Sequence, residues 1–193
     1  MSTLNLSTDA RAQLEEGLRL SHDPETVEQA AAAFERAIQL NPGYALAHFY
    51  LGTMYYRWGH HQKAFQPLQK AIELQPDEPG SYYNLGAAYN GAGLYGDAEK
   101  YLKDFIQLRP DHADAFYELG FATLMQFGKG NEAIKYFREA VRLYPRHAKA
   151  YEFLGSALVR NGDLGEAREL VEHLKPIYPK QAEHLAQLID LNE

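Results

Sequence analysis

Apolar residues recur along the chain at helical spacing. A clear example is the set at i, i+3, i+4, i+7 and i+8 formed by Ala98, Tyr101, Leu102, Phe105 and Ile106. This spacing places the five side chains on one stripe of a helix, so it predicts an amphipathic helix with one buried face.

A shorter apolar stripe precedes this helix. Its members are Tyr82, Leu85 and Tyr89, and the segment from Gly91 to Gly96 separates it from the longer stripe. Glycines at both ends of that segment favour a turn. The two stripes and the turn together predict a helical hairpin.

The hairpin pattern occurs five times. Prolines recur at intervals of 34, 34, 35 and 34 residues, at Pro42, Pro76, Pro110, Pro145 and Pro179. Glycines recur in step, at Gly17, Gly52, Gly86, Gly120 and Gly155, and alanines do so at Ala30, Ala64, Ala98, Ala133 and Ala167. Proline cannot continue a helix, so it ends each second helix, whereas glycine lacks a Cβ and lets the two helices approach closely. A period of this length indicates a repeat architecture.

The repeated residues resemble the tetratricopeptide repeat, whose pattern is Trp-x2-Leu-Gly-x2-Tyr, then Ala-x3-Phe, then Pro. The third repeat matches best, with Tyr82, Leu85, Gly86, Tyr89, Ala98, Leu102 and Pro110. The fifth repeat has Val171 in place of the second-helix aromatic residue, and the first has Gln13 and Glu16 where apolar residues are usual. The resemblance extends over nearly the whole chain and identifies it as a member of this repeat family.

The resemblance implies an all-α fold, a right-handed α-solenoid of five tetratricopeptide helical hairpins plus a C-terminal capping helix. We therefore predict eleven helices and no sheet. The predicted segments are an N-terminal tail at 1–9, repeats at 10–44, 45–78, 79–112, 113–147 and 148–181, and the capping helix at 182–193. Pro67 departs from the pattern because it falls inside the second helix of the second repeat. We interpret it as a local bend with no function of its own.

The resemblance also implies a partner-binding groove, since the first helices of tetratricopeptide arrays line a concave surface. Groove positions lie three residues before each repeat glycine, one residue after it and four residues after it. With two charged rim residues added, the predicted groove residues are Leu14, Leu18, Phe49, Thr53, Tyr56, Tyr83, Asn90, Tyr117, Phe121, Leu124, Lys149 and Glu152. Asn90 resembles the groove asparagine that holds a peptide main chain in many such arrays.

The predicted groove is largely apolar and has an aromatic series, Phe49, Tyr83 and Tyr117, at intervals of 34 residues. Some tetratricopeptide proteins clamp a C-terminal carboxylate with Lys, Asn and Arg, but the corresponding positions here are Leu14, Leu18, Phe49, Thr53, Tyr83 and Ala87. The groove therefore suits a peptide with apolar anchors. The alternative is that the rings pack mainly against one another and against neighbouring hairpins.

Composition excludes several other functions. The chain has 19 Lys and Arg against 26 Asp and Glu, and its net charge of -7 argues against a nucleic-acid partner. The absence of Cys excludes disulfides and thiolate chemistry. No apolar run approaches the roughly 18 residues of a membrane span, so we expect no direct membrane insertion. The N-terminal residues lack the features of a signal peptide, and we expect a cytoplasmic location.

The histidines and carboxylates do not form a recognisable reactive site. His60 and His61 are adjacent and point apart, while His112 and His147 occupy equivalent corners between repeats without a third ligand. We interpret them as solvent-exposed turn residues and predict no metal and no cofactor. No nucleophile is placed with a base, so the chain is not expected to be an enzyme.

The sequence therefore predicts a non-catalytic scaffold that binds an apolar or aromatic-anchored peptide segment of a partner protein in its groove. One alternative is a self-assembling homo-oligomeric scaffold, in which an identical chain is the partner. A second is an enzyme accessory or small-molecule binder.

Overall fold

The structure is a computed structural model. It describes the backbone of residues 3–126 and 129–192, and side chains from residue 8 onward. In these residues the chain forms eleven α-helices and one 3₁₀ turn at Pro24–Thr26, with no strand, as predicted. The helices are Thr3–Leu20 (α1), Val27–Leu40 (α2), Ala45–Arg57 (α3), His61–Leu74 (α4), Pro79–Gly91 (α5), Tyr95–Leu108 (α6), Ala113–Leu124 (α7), Gly130–Leu143 (α8), Ala148–Asn161 (α9), Leu164–Leu174 (α10) and Pro179–Asp190 (α11).

Both terminal helices begin earlier than the sequence boundaries suggested. Helix α1 begins at Thr3, inside the segment 1–9 assigned to a tail, because no Pro or Gly precedes Gly17 to stop it. Helix α11 begins at Pro179, inside the segment assigned to the fifth repeat. Proline at the first helical position starts a helix well, since its missing N–H has no partner there in any case. Residues 1, 2 and 193 of these segments lie outside the described part of the chain.

The extra residue of the first repeat lies in the turn between α1 and α2. Asp23 caps the 3₁₀ turn by accepting a hydrogen bond from the Glu25 backbone N–H at 2.9 Å, and Pro24 is its first residue. This is the arrangement expected of a capping Asp followed by Pro. The turn absorbs the added residue without altering either helix.

The helices divide into two compact units, Met1–Leu94 and Tyr95–Glu193. In unit 1, α1 pairs with α2 and α3 pairs with α4, and α5 packs against both α3 and α4. In unit 2, α7 pairs with α8, α6 packs on α7, α9 packs on α8, and α11 packs against α9 and α10. The two helices of the predicted third repeat, α5 and α6, thus belong to different units.

The glycines of the first, second and fourth repeats lie where the second helix places a large side chain against the first helix. A Cβ added at Gly52 would lie 2.5 Å from Leu68 Cγ, and one added at Gly120 would lie 2.8 Å from a Phe137 ring carbon. Leu68 and Phe137 are fully buried. Only glycine fits at these two positions, because the helices of the hairpin lie too close together to leave room for a Cβ.

One buried hydroxyl in unit 1 lacks a hydrogen-bond partner. Ser81 is 1% exposed, and its Oγ has no partner among the described residues. The equivalent positions in the neighbouring repeats are Ala47, Ala115 and Ala150, all completely buried. Ser81 thus replaces an alanine of the repeat pattern and carries a desolvated polar group into the core.

Unit 2 contains a buried carboxylate with three donors. Glu99 of α6 accepts hydrogen bonds at 2.6 Å from Lys103, from Lys129 and from Gln126. Burial alone raises the pKa of Glu99, but the hydrogen bonds from Lys103, Lys129 and Gln126 outweigh burial and lower it to about 2. Glu99 therefore ties α6 to the segment that follows α7.

Gly120→Ala should destabilise unit 2 by about 1 to 3 kcal/mol, because the new Cβ overlaps the Phe137 ring in a packed core. The matched control is Gly96→Ala in α6, where a Cβ meets nothing within 4 Å, and its change should stay within about 0.5 kcal/mol. Urea unfolding followed by circular dichroism measures both. Equal stability of the two variants would contradict the close-approach explanation.

Ser81→Ala should stabilise the protein by about 1 kcal/mol, since it removes an unsatisfied buried hydroxyl without leaving a cavity. Thr123→Val is the comparison, because the Thr123 hydroxyl is also buried but donates to the Leu119 carbonyl oxygen at 2.8 Å. Thr123→Val should therefore not increase the stability. A loss of stability in Ser81→Ala, measured by the same unfolding assay, would show that the hydroxyl has a partner in solution.

Acid should lower the stability of unit 2, because Glu99 becomes protonated. Its folded pKa of about 2 lies below the ordinary value of 4.5, so the unfolded state binds the proton first. The stabilisation is complete above about pH 4.5 and is lost as the pH falls toward 2. Glu99→Gln should reduce this acid dependence and lower the free energy of unfolding at pH 7 by about 1 to 3 kcal/mol.

The control for that change is Glu172→Gln. Glu172 pairs with Lys175, but both side chains are largely exposed, so the stability should not change measurably. Urea unfolding between pH 7 and pH 2.5 tests both variants. An unchanged acid dependence in Glu99→Gln would assign the effect to other carboxylates.

Candidate functional site

Predicted groove residues of unit 1 lie on α1, α3 and α5. Leu18, Phe49, Thr53, Tyr56 and Tyr83 are half-buried, so each keeps part of its side chain at the surface. We call this set the unit 1 surface. Leu46, in the first turn of α3, is 43% exposed and adds to the apolar area, although the sequence mapping did not include it.

Contacts between α3 and α5 hold the unit 1 surface in place. The Phe49 ring packs edge-on against Tyr50, with 5.1 Å between centroids, and a Cβ at Gly80 would lie 3.1 Å from it. Asn84 Nδ2 donates to Thr53 Oγ1 at 2.8 Å. These contacts order the side chains before any partner is present.

Three predicted groove residues are more enclosed than expected. Leu14 is 5% exposed, Leu124 is 6% exposed and Asn90 is 7% exposed. Their side chains therefore offer little area to a partner, which corrects their assignment as groove-lining residues.

In unit 2 the half-buried Tyr117 lies within a cluster of rings. Its centroid is 5.0 Å from that of His147, 5.7 Å from that of Phe153 and 6.2 Å from that of Phe137. Burial, followed by the charges of Glu118 and Glu152, raises the pKa of Tyr117 to about 12. The Tyr117 hydroxyl is therefore protonated at neutral pH and can both donate and accept.

Phe121 extends this cluster along α7. Its ring stands perpendicular to that of Phe153 at 5.4 Å and nearly perpendicular to that of Tyr95 at 5.9 Å. Tyr117, Phe121 and Phe153 are half-buried, and with the exposed Lys149 and Glu152 they form what we call the unit 2 surface. The rings pack against one another and also keep part of their area exposed.

Phe153 is a surface residue that the mapping missed. It lies two residues before its repeat glycine, a position that the resemblance did not assign to the groove. Two of the four equivalent residues are Tyr50, which packs on Phe49, and Asn84, which bonds to Thr53; the others are Glu15 and Glu118. The recurrence of large or polar side chains at this position was a signal in the sequence.

Two histidines cap helices. Nδ1 of His112 accepts from the Ala115 N–H, and Nδ1 of His147 accepts from the Ala150 N–H, both at 3.2 Å. His147 is only 8% exposed, and its Nε2 lies 3.1 Å from Asp114 Oδ1. The expectation of solvent-exposed turn histidines was therefore wrong for His147, because its ring closes the first turn of α9.

The described residues contain neither a metal cluster nor a membrane span. No group of three or more His, Asp or Glu side chains there is placed to hold a metal ion. None of the described helices has the length and apolarity that a membrane span needs.

Several solved structures are similar to this chain. The crystal structure of YrrB, described as a TPR protein with an unusual peptide-binding site, has a TM-score of 0.81 and 23% identity, covering 93% of this chain and 92% of that one. MamA from Desulfovibrio magneticus RS-1 has a TM-score of 0.78 and 21% identity, covering 93% and 96%. PilF of Pseudomonas aeruginosa has a TM-score of 0.70 and 18% identity, covering 95% and 99%. These TM-scores show that the three proteins share the fold of this chain.

Two sequence models of the tetratricopeptide repeat match the chain, one over residues 27–79 and 121–182 and the other over residues 68–100. No curated protein matches it. The similar structures confirm the predicted all-α solenoid of helical hairpins. From the repeat pattern, the fold and these matches, the chain belongs to the tetratricopeptide repeat family.

Proposed function

We propose that this protein is a non-catalytic scaffold that binds an apolar or aromatic-anchored segment of a partner protein through the first helices of its repeats. Tetratricopeptide repeat proteins act typically by binding other proteins, which supports the general role. The finer assignment rests on the half-buried aromatic rings of the unit 1 and unit 2 surfaces.

The observation that carries the proposal is the packing of Tyr117, Phe121 and Phe153. The Phe153 ring packs against both others, with 5.7 Å to the Tyr117 centroid and 5.4 Å to the Phe121 centroid, and all three rings still expose part of their area. Aromatic side chains held in this way lose little conformational entropy on binding, and they dominate the energetics of many interfaces. A partner segment that inserts an apolar side chain beside Phe121 would cover this area.

Polar groups at the edge of the unit 2 surface contribute orientation more than affinity. Lys149 and Glu152 are exposed and carry opposite charges, so they favour partner segments with a complementary order of charges. The groove positions that hold the basic residues of a carboxylate clamp carry no Lys or Arg in this chain. We therefore do not expect the groove to recognise a free C-terminus.

YrrB, which has the same fold, is described as having an unusual peptide-binding site. That description supports a peptide as the class of ligand. A second copy of the chain is the alternative occupant of the same surfaces.

The test starts with peptides selected from a random display library against the purified protein. We expect selected peptides to carry aromatic or aliphatic anchors, and Phe121→Ala to weaken the peptide that binds the unit 2 surface about thirtyfold, equivalent to about 2 kcal/mol. Phe49→Ala tests the unit 1 surface in the same way. Fluorescence anisotropy measures the affinities, and thermal melts confirm that each variant folds.

Lys135→Ala is the matched control, because Lys135 is exposed on the second helix α8. It should bind every selected peptide like the wild type. Affinities that neither Phe49→Ala nor Phe121→Ala changes would refute the proposal. Sedimentation over a concentration series separates the alternative, since self-association that Phe121→Ala abolishes would make a second copy the partner.

A further inference from the structure

One histidine of unit 2 is buried beside the unit 2 surface. His147 is 8% exposed and is the N-cap residue of α9, the helix that carries Glu152 and Phe153 of that surface. Its ring centroid lies 5.0 Å from the centroid of Tyr117, which belongs to the same surface on α7. His147 therefore contacts both helices that form the unit 2 surface.

The helix cap fixes the tautomer of His147. Nδ1 accepts a hydrogen bond from the Ala150 backbone N–H at 3.2 Å, so Nδ1 carries no proton in this arrangement. The proton of the neutral imidazole is then on Nε2. Because Ala150 is completely buried, its N–H cannot bond to water in place of the ring. The cap thus depends on an unprotonated Nδ1.

A carboxylate lies beside the other ring nitrogen. Nε2 of His147 is buried and lies 3.1 Å from Oδ1 of Asp114, but the two groups are not aligned as a hydrogen bond. The negative charge of Asp114 attracts an imidazolium ring, whereas the N–H groups at the start of α9 repel one. The ring is therefore held between two environments that favour opposite charges.

Protonation should break the cap. An imidazolium ring donates from both nitrogens, so Nδ1–H would face the Ala150 N–H as donor to donor. Its positive charge would also stand at the N-terminus of α9, where the helix dipole is unfavourable for it. A charge-assisted hydrogen bond to Asp114 is then the better contact for the ring. We expect this movement to release the first turn of α9 and to disturb the packing against Tyr117.

Histidine is the group near the cap that ordinarily changes charge between pH 5 and 8. The other titratable and charged groups around His147 are Asp114, Tyr117 and Glu118 on α7, Tyr144 and Arg146 after α8, Lys149 and Glu152 on α9, and Tyr178 before α11. Burial raises the pKa of Tyr117 to about 12, so its phenol stays protonated over this range.

We propose that His147 is a pH-sensitive switch for the unit 2 surface, in which protonation of Nδ1 releases the first turn of α9 and weakens partner binding. Phe153 lies in the second turn of α9, and Tyr117 packs against both Phe153 and the His147 ring. Movement of the His147 ring therefore reaches both aromatic side chains. The effect on binding rests on the proposed function, whereas the conformational step does not.

The first test uses the protein alone, followed by NMR and amide hydrogen exchange between pH 8 and pH 5. The Ala150 amide and the Tyr117 ring should shift along one titration curve, and the protection factor of the Ala150 amide should fall about tenfold or more toward pH 5. Glu99 does not contribute, since its pKa of about 2 keeps it ionised here. An Ala150 protection factor that is equal at pH 8 and pH 5 would overturn the proposal.

His147→Asn separates the cap from its titration, because asparagine caps helices well but does not titrate. It should keep the Ala150 amide equally protected at both pH values. His112→Asn is the matched control, since Nδ1 of His112 caps α7 with the same geometry. This control should retain the wild-type pH dependence at Ala150. A loss of protection in His147→Asn like that of the wild type would assign the effect to another group and refute the switch.

Asp114→Asn is a second, independent variant at a largely exposed side chain. It removes the carboxylate that attracts the protonated ring, so the midpoint of the change at Ala150 should move to lower pH. An unchanged midpoint would contradict the proposed role of Asp114.

The second test measures binding of the display-selected peptide for the unit 2 surface, resynthesised with blocked ends and without His, Asp or Glu. Its affinity should fall about fivefold or more from pH 7.5 to pH 5 with the wild type and should stay within about twofold with His147→Asn. An affinity that ignores pH would refute control of the surface. If no peptide binds at any pH, the proposed function fails, and the Ala150 measurement still decides whether the switch exists.

Discussion

The fold depends on one contact that recurs in the hairpins, the approach of a large second-helix side chain to a glycine of the first helix. Leu68 lies over Gly52 and Phe137 lies over Gly120, at distances that leave no room for a Cβ. This contact fixes the distance between the two helices of a hairpin. It also fixes their rotation, since only one face of each helix can meet the other in this way.

The first-helix surfaces follow from this geometry. Phe49 packs on Tyr50 and lies against Gly80 of the next first helix, and Phe121 packs on Phe153 of the next first helix. Both rings stay half-buried. Exposed aromatic area therefore remains where two first helices lie side by side.

The sequence was sufficient for most of the architecture because local signals set it. Proline stops, glycine contacts and apolar stripes fixed the number of helices, and the absence of a breaker before Gly17 shows why α1 extends further than assigned. Burial depth was harder to predict, because it depends on which helices lie alongside. Leu14, Leu124 and Asn90 have the periodicity assigned to the groove, yet all three are buried.

Long-range polar contacts were also beyond the sequence. The pairing of Glu99 with Lys103 could have been read from their spacing of four residues on a helix. The contacts of Glu99 with Gln126 and Lys129 could not, since they join residues 27 and 30 positions apart. His147 was misread for a different reason, because its capping contact is local but histidine is not among the usual N-cap residues. Only its position at the start of α9 shows the role.

The 3₁₀ turn at Pro24–Thr26 has a consequence for how the repeats tolerate change. Seventeen positions separate Gly17 from Phe34, whereas sixteen separate Gly52 from Leu68, yet both pairs are in contact. The hairpin turn therefore takes up differences in length before they reach the helix interface. Insertions during evolution, and labels or short tags added by design, have a natural place at this turn, because chain length there is not coupled to the packing register.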